Sequence, residues 1–209
     1  MKVNHIIKLK LRVLAVAFMF SVMPLSWAEN AETDNPEQIV RDLQASLIQA
    51  MRDGDKMDYQ ERVEFLAPAI NQSHDFDLII RTVLGSNWTQ LETDQQRLIT
   101  DTFRQLSIAT YAGQFNEYEG EQFEILQQRS LPRDQTLIRS QFIKADSSKI
   151  DFDYVLQQGG EGWHIVNILV DGVSDLALKR TEYRAVLQRD GFSALIDMLK
   201  EKILLAEQG

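Results

Sequence analysis

The chain has no cysteine among its 209 residues. That absence excludes disulfide bonds, thiolate-bound metals and a cysteine nucleophile. It also excludes the lipid-modified cysteine of bacterial lipoproteins, because Glu29 stands where that residue would follow the signal segment described below. An apolar core must therefore stabilise the fold, and a chain of this length is long enough to build one.

Histidine is also scarce, with three residues in the chain. We place His74 in a polar loop and His164 in a strand. Neither histidine has a partner at metal-binding spacing. Glycine motifs of nucleotide-binding proteins are absent, and the segment 172–176 lacks the second glycine of a nucleophile elbow. Ser174 in that segment is better suited to cap the following helix. The sequence predicts no metal site, no cofactor and no catalytic residue.

The amino-terminal segment has the three parts of a secretory signal peptide. Four basic residues and no acidic ones precede an apolar run at 13–20, and the small residues Ser26 and Ala28 follow it. The run is shorter than the roughly 20 residues of a membrane-spanning helix. We therefore predict that residues 1–28 are cleaved and that residues 29–209 form a single secreted domain.

The chain is acidic, with 22 basic and 31 acidic residues and a net charge of −9. Removing the four basic residues of the signal segment leaves 18 basic against 31 acidic residues, a net charge of −13. Such a charge opposes binding to nucleic acids and lasting adsorption to anionic membranes. A simple requirement for solubility explains it equally well.

Helical patterns at both ends of the chain flank a central region of strands. Asn35-Pro36 and Thr93-Asp94-Gln95-Gln96 are typical helix starts, whereas Pro68 and Gly85 should end the second and third helices. After Gly120 the apolar period becomes two. The predicted helices are 36–51, 59–66, 76–84, one from Thr93 and one from Ser174 that Gly191 interrupts; the predicted strands are 123–126, 135–145, 149–157 and 163–171. This order predicts an α+β fold, with a four-stranded antiparallel meander covered on one face by the helices.

The third predicted strand raises the alternative of an enzyme. Asp151 and Asp153 alternate there with Phe152 and Tyr154, and some cone-shaped sheets covered by helices are isomerases or hydratases that use a buried Asp and Tyr. An exposed acidic face opposite a buried aromatic face is the usual pattern of a half-buried strand. We favour a protein without catalytic activity and keep a periplasmic isomerase- or hydratase-like enzyme as the alternative.

The apolar residues of the long helix and the strands can either fill a core or line a cavity, and composition does not distinguish the two. Three ordered segments, however, resemble the MlaC family, also called toluene-tolerance auxiliary proteins. FDLIIRTVLGSNW at 76–88 resembles the family's segment ending in L-G-x-x-W, and 94–97 with Phe103 and Tyr111 resembles its next helix. The most specific segment is GWHIVNILVDGVS at 162–174. The matching residues farther on are Arg180, Tyr183, Gly191 and 195–199.

The chain departs from the family pattern at two positions. Asn167 stands where the family usually has Asp, and Lys179 stands where Tyr is common. These departures bear on contacts with a head group or a partner and not on the fold.

The resemblance implies a fold like the nuclear-transport-factor cone around a deep apolar pocket. It implies a monomeric, periplasmic phospholipid carrier that maintains outer-membrane lipid asymmetry. Its partners would be an outer-membrane complex containing MlaA and an inner-membrane ABC transporter with an MCE-domain protein, each contacted transiently. A hopanoid is an alternative cargo, because a hopanoid-linked branch of the family is similar. The residues expected to line the pocket are Val83, Leu84, Phe103, Leu106, Tyr111, Phe142, Phe152, Tyr154, Trp163, Val166, Ile168 and Val170.

Overall fold

The structure, a computed structural model, describes residues 35–208, so the signal peptide predicted at 1–28 lies outside the described residues. The helices are α1 (Pro36–Arg52), α2 (Tyr59–Ser73), α3 (Phe76–Leu84), α4 (Thr93–Gln114) and α5 (Asp175–Glu207). The strands are β1 (Gln122–Leu131), β2 (Gln135–Ile143), β3 (Lys149–Gly159), β4 (Gly162–Val170) and β5 (Val173–Ser174). No helix within 35–208 is long and apolar enough to cross a membrane.

The strands form one antiparallel sheet in the order β1-β2-β3-β4-β5. The predicted α+β class and antiparallel meander are confirmed, but the sheet has five strands and not four. Asp171 and Gly172 both have positive φ, 49° and 78°, and form a two-residue turn. β5 arises because this turn brings Val173 into pairing with Val170. The sequence pattern predicts that the fourth strand ends before Gly172 and predicts no fifth strand.

Two β-bulges interrupt the regular pairing of the sheet. In β1 the register shifts between Ile125 and Gln127, which leaves Leu126 as an extra residue. In β4 the extra residue is Val166. Val155 of β3 pairs with Asn167 of β4, and the next residue of β3, Leu156, pairs with Ile165 of β4. A bulge bends its strand and increases the local twist. Both outer long strands of the sheet are therefore bent.

One predicted helix boundary is wrong, and one capping box lies one residue from its predicted position. The predicted stop before Pro68 fails because α2 continues through this exposed proline to Ser73, with Leu66 and Ile70 fully buried on either side. Burial of that face outweighs one lost backbone hydrogen bond. At the start of α4 the capping box is formed by Glu92 and Gln95, one residue earlier than the predicted Thr93. The caps predicted at Asn35, Gly85 and Ser174 are present.

Helix α5 consists of two segments that fold back on each other at Gly191. This residue has φ 86° and ψ 179°, which is not helical. Lys202 and Glu182 are 20 positions apart, a distance of about 30 Å along a straight helix. Their side chains nevertheless form an ion pair of 2.7 Å. The segments 175–190 and 192–207 must therefore lie side by side.

The part of the interior between α1, α2 and the sheet is a buried apolar core, called the solid half below. Leu43 and Leu47 of α1 and Ile70 of α2 are buried against the inner face of the sheet, where Ile138 and Leu156 have no exposed surface. A hydrogen-bonded group sits in this core: Gln44 Nε2 donates to Ser140 Oγ at 3.0 Å and to the Tyr154 hydroxyl at 3.5 Å. The helices α4 and α5 cover the remaining part of the sheet, and the interior there is different.

Candidate functional site

A cavity of about 890 Å³ lies between α4, α5 and the inner face of β3 and β4. Its volume is at the upper end of the roughly 300–1,000 Å³ that is common for ligand pockets. Aromatic rings form much of its wall: Phe76, Phe103, Tyr111, Phe115, Phe152 and Tyr183. On the inner face of the sheet, the interior is therefore packed beneath α1 and α2 and hollow beneath α4 and α5.

His74 closes the inner end of the cavity. It follows α2 and forms a bridge to Ile165 of β4, where the Asp75 N–H donates to the Ile165 carbonyl at 3.1 Å. Its side chain is buried and its ring stacks on Phe76 with 5.5 Å between ring centres. The predicted polar loop is thus wrong, because the ring packs inward at the point where helix and sheet meet.

The hydrogen bonds of His74 define its protonation. Nδ1 lies 3.1 Å from the Ile70 carbonyl oxygen and 2.9 Å from Ser73 Oγ, so the proton is on Nδ1. Nε2 then accepts from the Tyr111 hydroxyl at 3.4 Å. Burial lowers the pKa of His74 to about 4, although the bond to Ile70 acts in the opposite direction. Burial likewise raises the pKa of Tyr111, so both side chains are neutral at pH 7.

The aromatic wall continues from this pair toward the sheet. Tyr111 contacts Phe115 and Phe115 contacts Phe142, each with 5.9 Å between ring centres. Phe142 in turn packs against Phe123 at 4.8 Å. These rings meet in tilted or edge-to-face pairs and so form one continuous aromatic cluster beside the cavity.

The outer end of the cavity opens to solvent between the two segments of α5 and the end of β4. Leu178 and Leu205, one from each segment, line the cavity and are 59% and 56% exposed. Val170 at the end of β4 also lines it and is 36% exposed. Ordinary protein surfaces rarely expose several large apolar side chains side by side. Such a group at the opening of a cavity therefore indicates a binding surface.

The start of α5, which forms one side of the opening, is fixed by Asn167 of β4. Its Oδ1 accepts from Ser174 Oγ at 3.1 Å and from the Leu176 backbone N–H at 3.2 Å. Ser174 Oγ in turn accepts from the Ala177 N–H at 3.1 Å. Asn167 therefore supplies the acceptor that holds the first turn of α5 against β4.

Seven of the twelve predicted lining residues lie on the cavity wall: Phe103, Leu106, Tyr111, Phe152, Val166, Ile168 and Val170. Five do not: Val83, Leu84, Phe142, Tyr154 and Trp163. Val83 and Leu84 of α3 are fully buried in the core, and Tyr154 belongs to the hydrogen-bonded group around Gln44. Phe142 stands behind Phe115 and Phe152, and Trp163 packs on the core. These five residues share the inner side of the fold with the cavity without bordering it.

No residue of α5 is among the twelve predicted lining residues, although Lys179 and Tyr183 figure in the family resemblance. Tyr183, Lys179 and Glu182 from its first segment line the cavity, as do Lys202 and Leu205 from its second. The spacing of Lys179 and Tyr183, one helical turn apart, shows that they share a face. Nothing local in the sequence shows that the second segment returns to the same opening.

Two features would favour catalysis: a buried Asp beside the cavity, and a cluster of side chains able to hold a metal. Asp153 is largely buried, and Arg139 binds it on the outer face of the sheet with N–O distances of 3.1 and 3.2 Å. It is thus on the opposite side of the sheet from the cavity. Among residues 35–208 there is no group of three or more His, Asp or Glu side chains placed to hold a metal.

Comparison with known proteins shows where this architecture belongs. A phospholipid-binding protein from Ralstonia solanacearum, solved in complex with a phospholipid, has the same fold with a TM-score of 0.72 at 21% sequence identity. The alignment covers 84% of this chain and 99% of that one. No curated protein sequence matches. The family described as MlaC protein matches residues 41–201, a range that contains every cavity-lining residue except Lys202, Leu205 and Ala206. The resemblance read from the sequence is confirmed: the chain belongs to the MlaC family.

Proposed function

We propose that this protein is a soluble periplasmic carrier that holds the acyl chains of a phospholipid in the cavity between α4, α5 and the sheet. The observation that carries the proposal is the hollow half of the interior, walled by aromatic rings and open beside Leu178 and Leu205. Membership of the MlaC family and the phospholipid bound by the Ralstonia neighbour support it.

The energetics explain why such a carrier needs a cavity and no catalytic group. Each CH₂ of an acyl chain hidden from water contributes about 0.8 kcal/mol. A lipid with two chains has on the order of 30 such groups, so free passage through water costs roughly 20 kcal/mol or more. A pocket lined by Phe103, Leu106, Phe152 and Ile168 replaces water around the chains and lowers that cost.

The opening also suits a protein that loads and unloads. Its apolar residues lie at the surface, where a chain can pass directly from a membrane-bound partner into the cavity. The acidic character of the chain opposes lasting adsorption to anionic lipid. In this proposal the carrier moves phospholipid between an outer-membrane complex containing MlaA and an inner-membrane ABC transporter with an MCE-domain protein. The signal segment at 1–28 would direct it to the periplasm.

The test is the lipid content of the mature protein. The full chain is expressed with its signal segment, purified from the periplasm, checked for cleavage after Ala28 by amino-terminal sequencing, and extracted for mass spectrometry. We expect phospholipid in near-stoichiometric amount and transfer of labelled phospholipid between vesicles. A protein that carries no amphiphile and transfers none contradicts the proposal, and recovery of a hopanoid identifies the alternative cargo.

A further inference from the structure

Among residues 35–208, four side chains of charged type line the cavity, and all are on α5: Asp175, Lys179, Glu182 and Lys202. Two are acidic and two are basic, so the opening has no net charge. The chain as a whole has a net charge of −9. The opening is therefore locally balanced within an acidic protein.

The four charges alternate in sign along the opening. Asp175, Lys179 and Glu182 follow at spacings of four and three and so share one face of the first segment of α5. The Lys179 ammonium donates to the Asp175 carboxylate within this segment. Lys202 comes from the second segment and pairs with Glu182 at 2.7 Å. The order is negative, positive, negative, positive.

The two lysines lie where the apolar wall meets solvent. The Lys179 ammonium is 5.9 Å from the centre of the Phe103 ring, which is part of the cavity wall. The side chains of Lys179 and Lys202 are 24% and 39% exposed, so both are partly withdrawn from water. A lipid with its chains among the rings would have its phosphate at this level.

We propose that the opening selects phospholipids with a zwitterionic head group, with the phosphate at Lys179 and Lys202 and the ammonium at Glu182 and Asp175. This inference rests on the proposed carrier function. A zwitterion brings one charge of each sign and so matches the alternating order. A head group with a net negative charge finds no excess of cations at the opening and is repelled by the acidic chain.

The experiment measures which head group the protein takes from a mixed membrane. Mature protein, stripped of its own lipid, is incubated with vesicles of equal parts phosphatidylethanolamine and phosphatidylglycerol with identical acyl chains, then repurified and extracted. Identical chains make the cavity contribution the same for both lipids. We expect phosphatidylethanolamine to exceed phosphatidylglycerol by about two- to fivefold, the range for charge pairs that remain partly exposed.

Three variants assign the preference to the opening. Glu182→Gln makes the opening net positive and should bring the ratio to one or below, whereas Lys202→Gln makes it net negative and should raise the ratio while total loading falls. Glu201→Gln removes one exposed acid from the same segment of α5 outside the cavity and should keep the wild-type ratio.

Two outcomes overturn the inference in distinguishable ways. Lipid bound at a ratio of one by the wild type, or the same ratio in Glu182→Gln and Lys202→Gln as in Glu201→Gln, shows that the head group is not read. The carrier function survives that result. A protein that loads neither lipid overturns the carrier function and the inference with it.

Discussion

The Tyr111 hydroxyl donates to Nε2 of His74 across 3.4 Å and so joins α4 to the end of α2 at the inner end of the cavity. The opposite ring nitrogen of His74 is bound to the Ile70 carbonyl. Both nitrogens are thus occupied while the ring is neutral. A proton added to Nε2 would remove the acceptor of Tyr111 and place a charge in a buried site.

The first prediction concerns acid. The pKa of His74 is about 4 in the folded protein and about 6.5 in an unfolded chain, so the unfolded state binds more protons between these values and stability falls as pH falls. His74 should account for about 2–3 kcal/mol of stability lost between pH 7.5 and pH 4.5. In urea unfolding, the difference between wild type and His74→Gln should shrink by that amount. A difference that does not change with pH contradicts the neutral, buried state of His74.

The second prediction concerns Val166, the extra residue of the β4 bulge, which is 7% exposed and lines the cavity. Val166→Arg should abolish co-purification of lipid, because the long polar side chain occupies the space of an acyl chain. Circular dichroism should show a folded protein. Leu126→Arg is the matched control, since this bulge residue of β1 is 45% exposed and does not border the cavity. Equal lipid in the two variants would disprove the role of the cavity.

The third prediction concerns Asn167, whose Oδ1 accepts from Ser174 and Leu176. Asn167→Leu should lower the free energy of unfolding by about 1–2 kcal/mol, the usual cost of losing such a cap. Asn167→Asp keeps the acceptor and places a negative charge at the start of a helix, so it should be as stable as the wild type or more stable. Thermal unfolding of the pair checks this, and equal melting temperatures for Leu and Asp would refute it.

The fourth prediction concerns Gly191, where φ is 86° and ψ is 179°. A Cβ added there would meet no atom within 4 Å, so any penalty of Gly191→Ala comes from the backbone conformation alone. We expect a loss of about 1–3 kcal/mol. Gly160→Ala is the control, because Gly160 is equally unobstructed but does not have positive φ, and it should be near neutral. Chemical denaturation of both variants gives the comparison.

Local signals made the fold predictable from the sequence. The period of two after Gly120 and the turn residues between strands gave the meander, and Asn35, Gly85 and Ser174 cap helices as their residue types suggest. Pro68 was misjudged because its cost to α2 is local, whereas the burial of Leu66 and Ile70 that outweighs it is tertiary.

The site was predictable only in part. The inner face of the sheet is apolar everywhere, so the pattern did not separate Ile168, on the cavity wall, from Tyr154, in the solid half. The polar neighbours of His74 suggested solvent, yet its hydrogen bonds to nearby backbone allow it to be buried. The return of α5 at Gly191 brings Lys202 to Glu182 over 20 positions, and no local pattern contains that information.

The bulges at Leu126 and Val166 bear on how much space a sheet of this kind can leave beneath its helices. Each adds a single residue of backbone and bends its strand, so the shape of the sheet changes without any large side chain being replaced by a small one. A shortened chain lacking both would have a flatter sheet, although its amino-acid composition would hardly differ. The volume of the cavity in such a scaffold would then change through the insertion or deletion of single residues, which the amino-acid composition does not reveal.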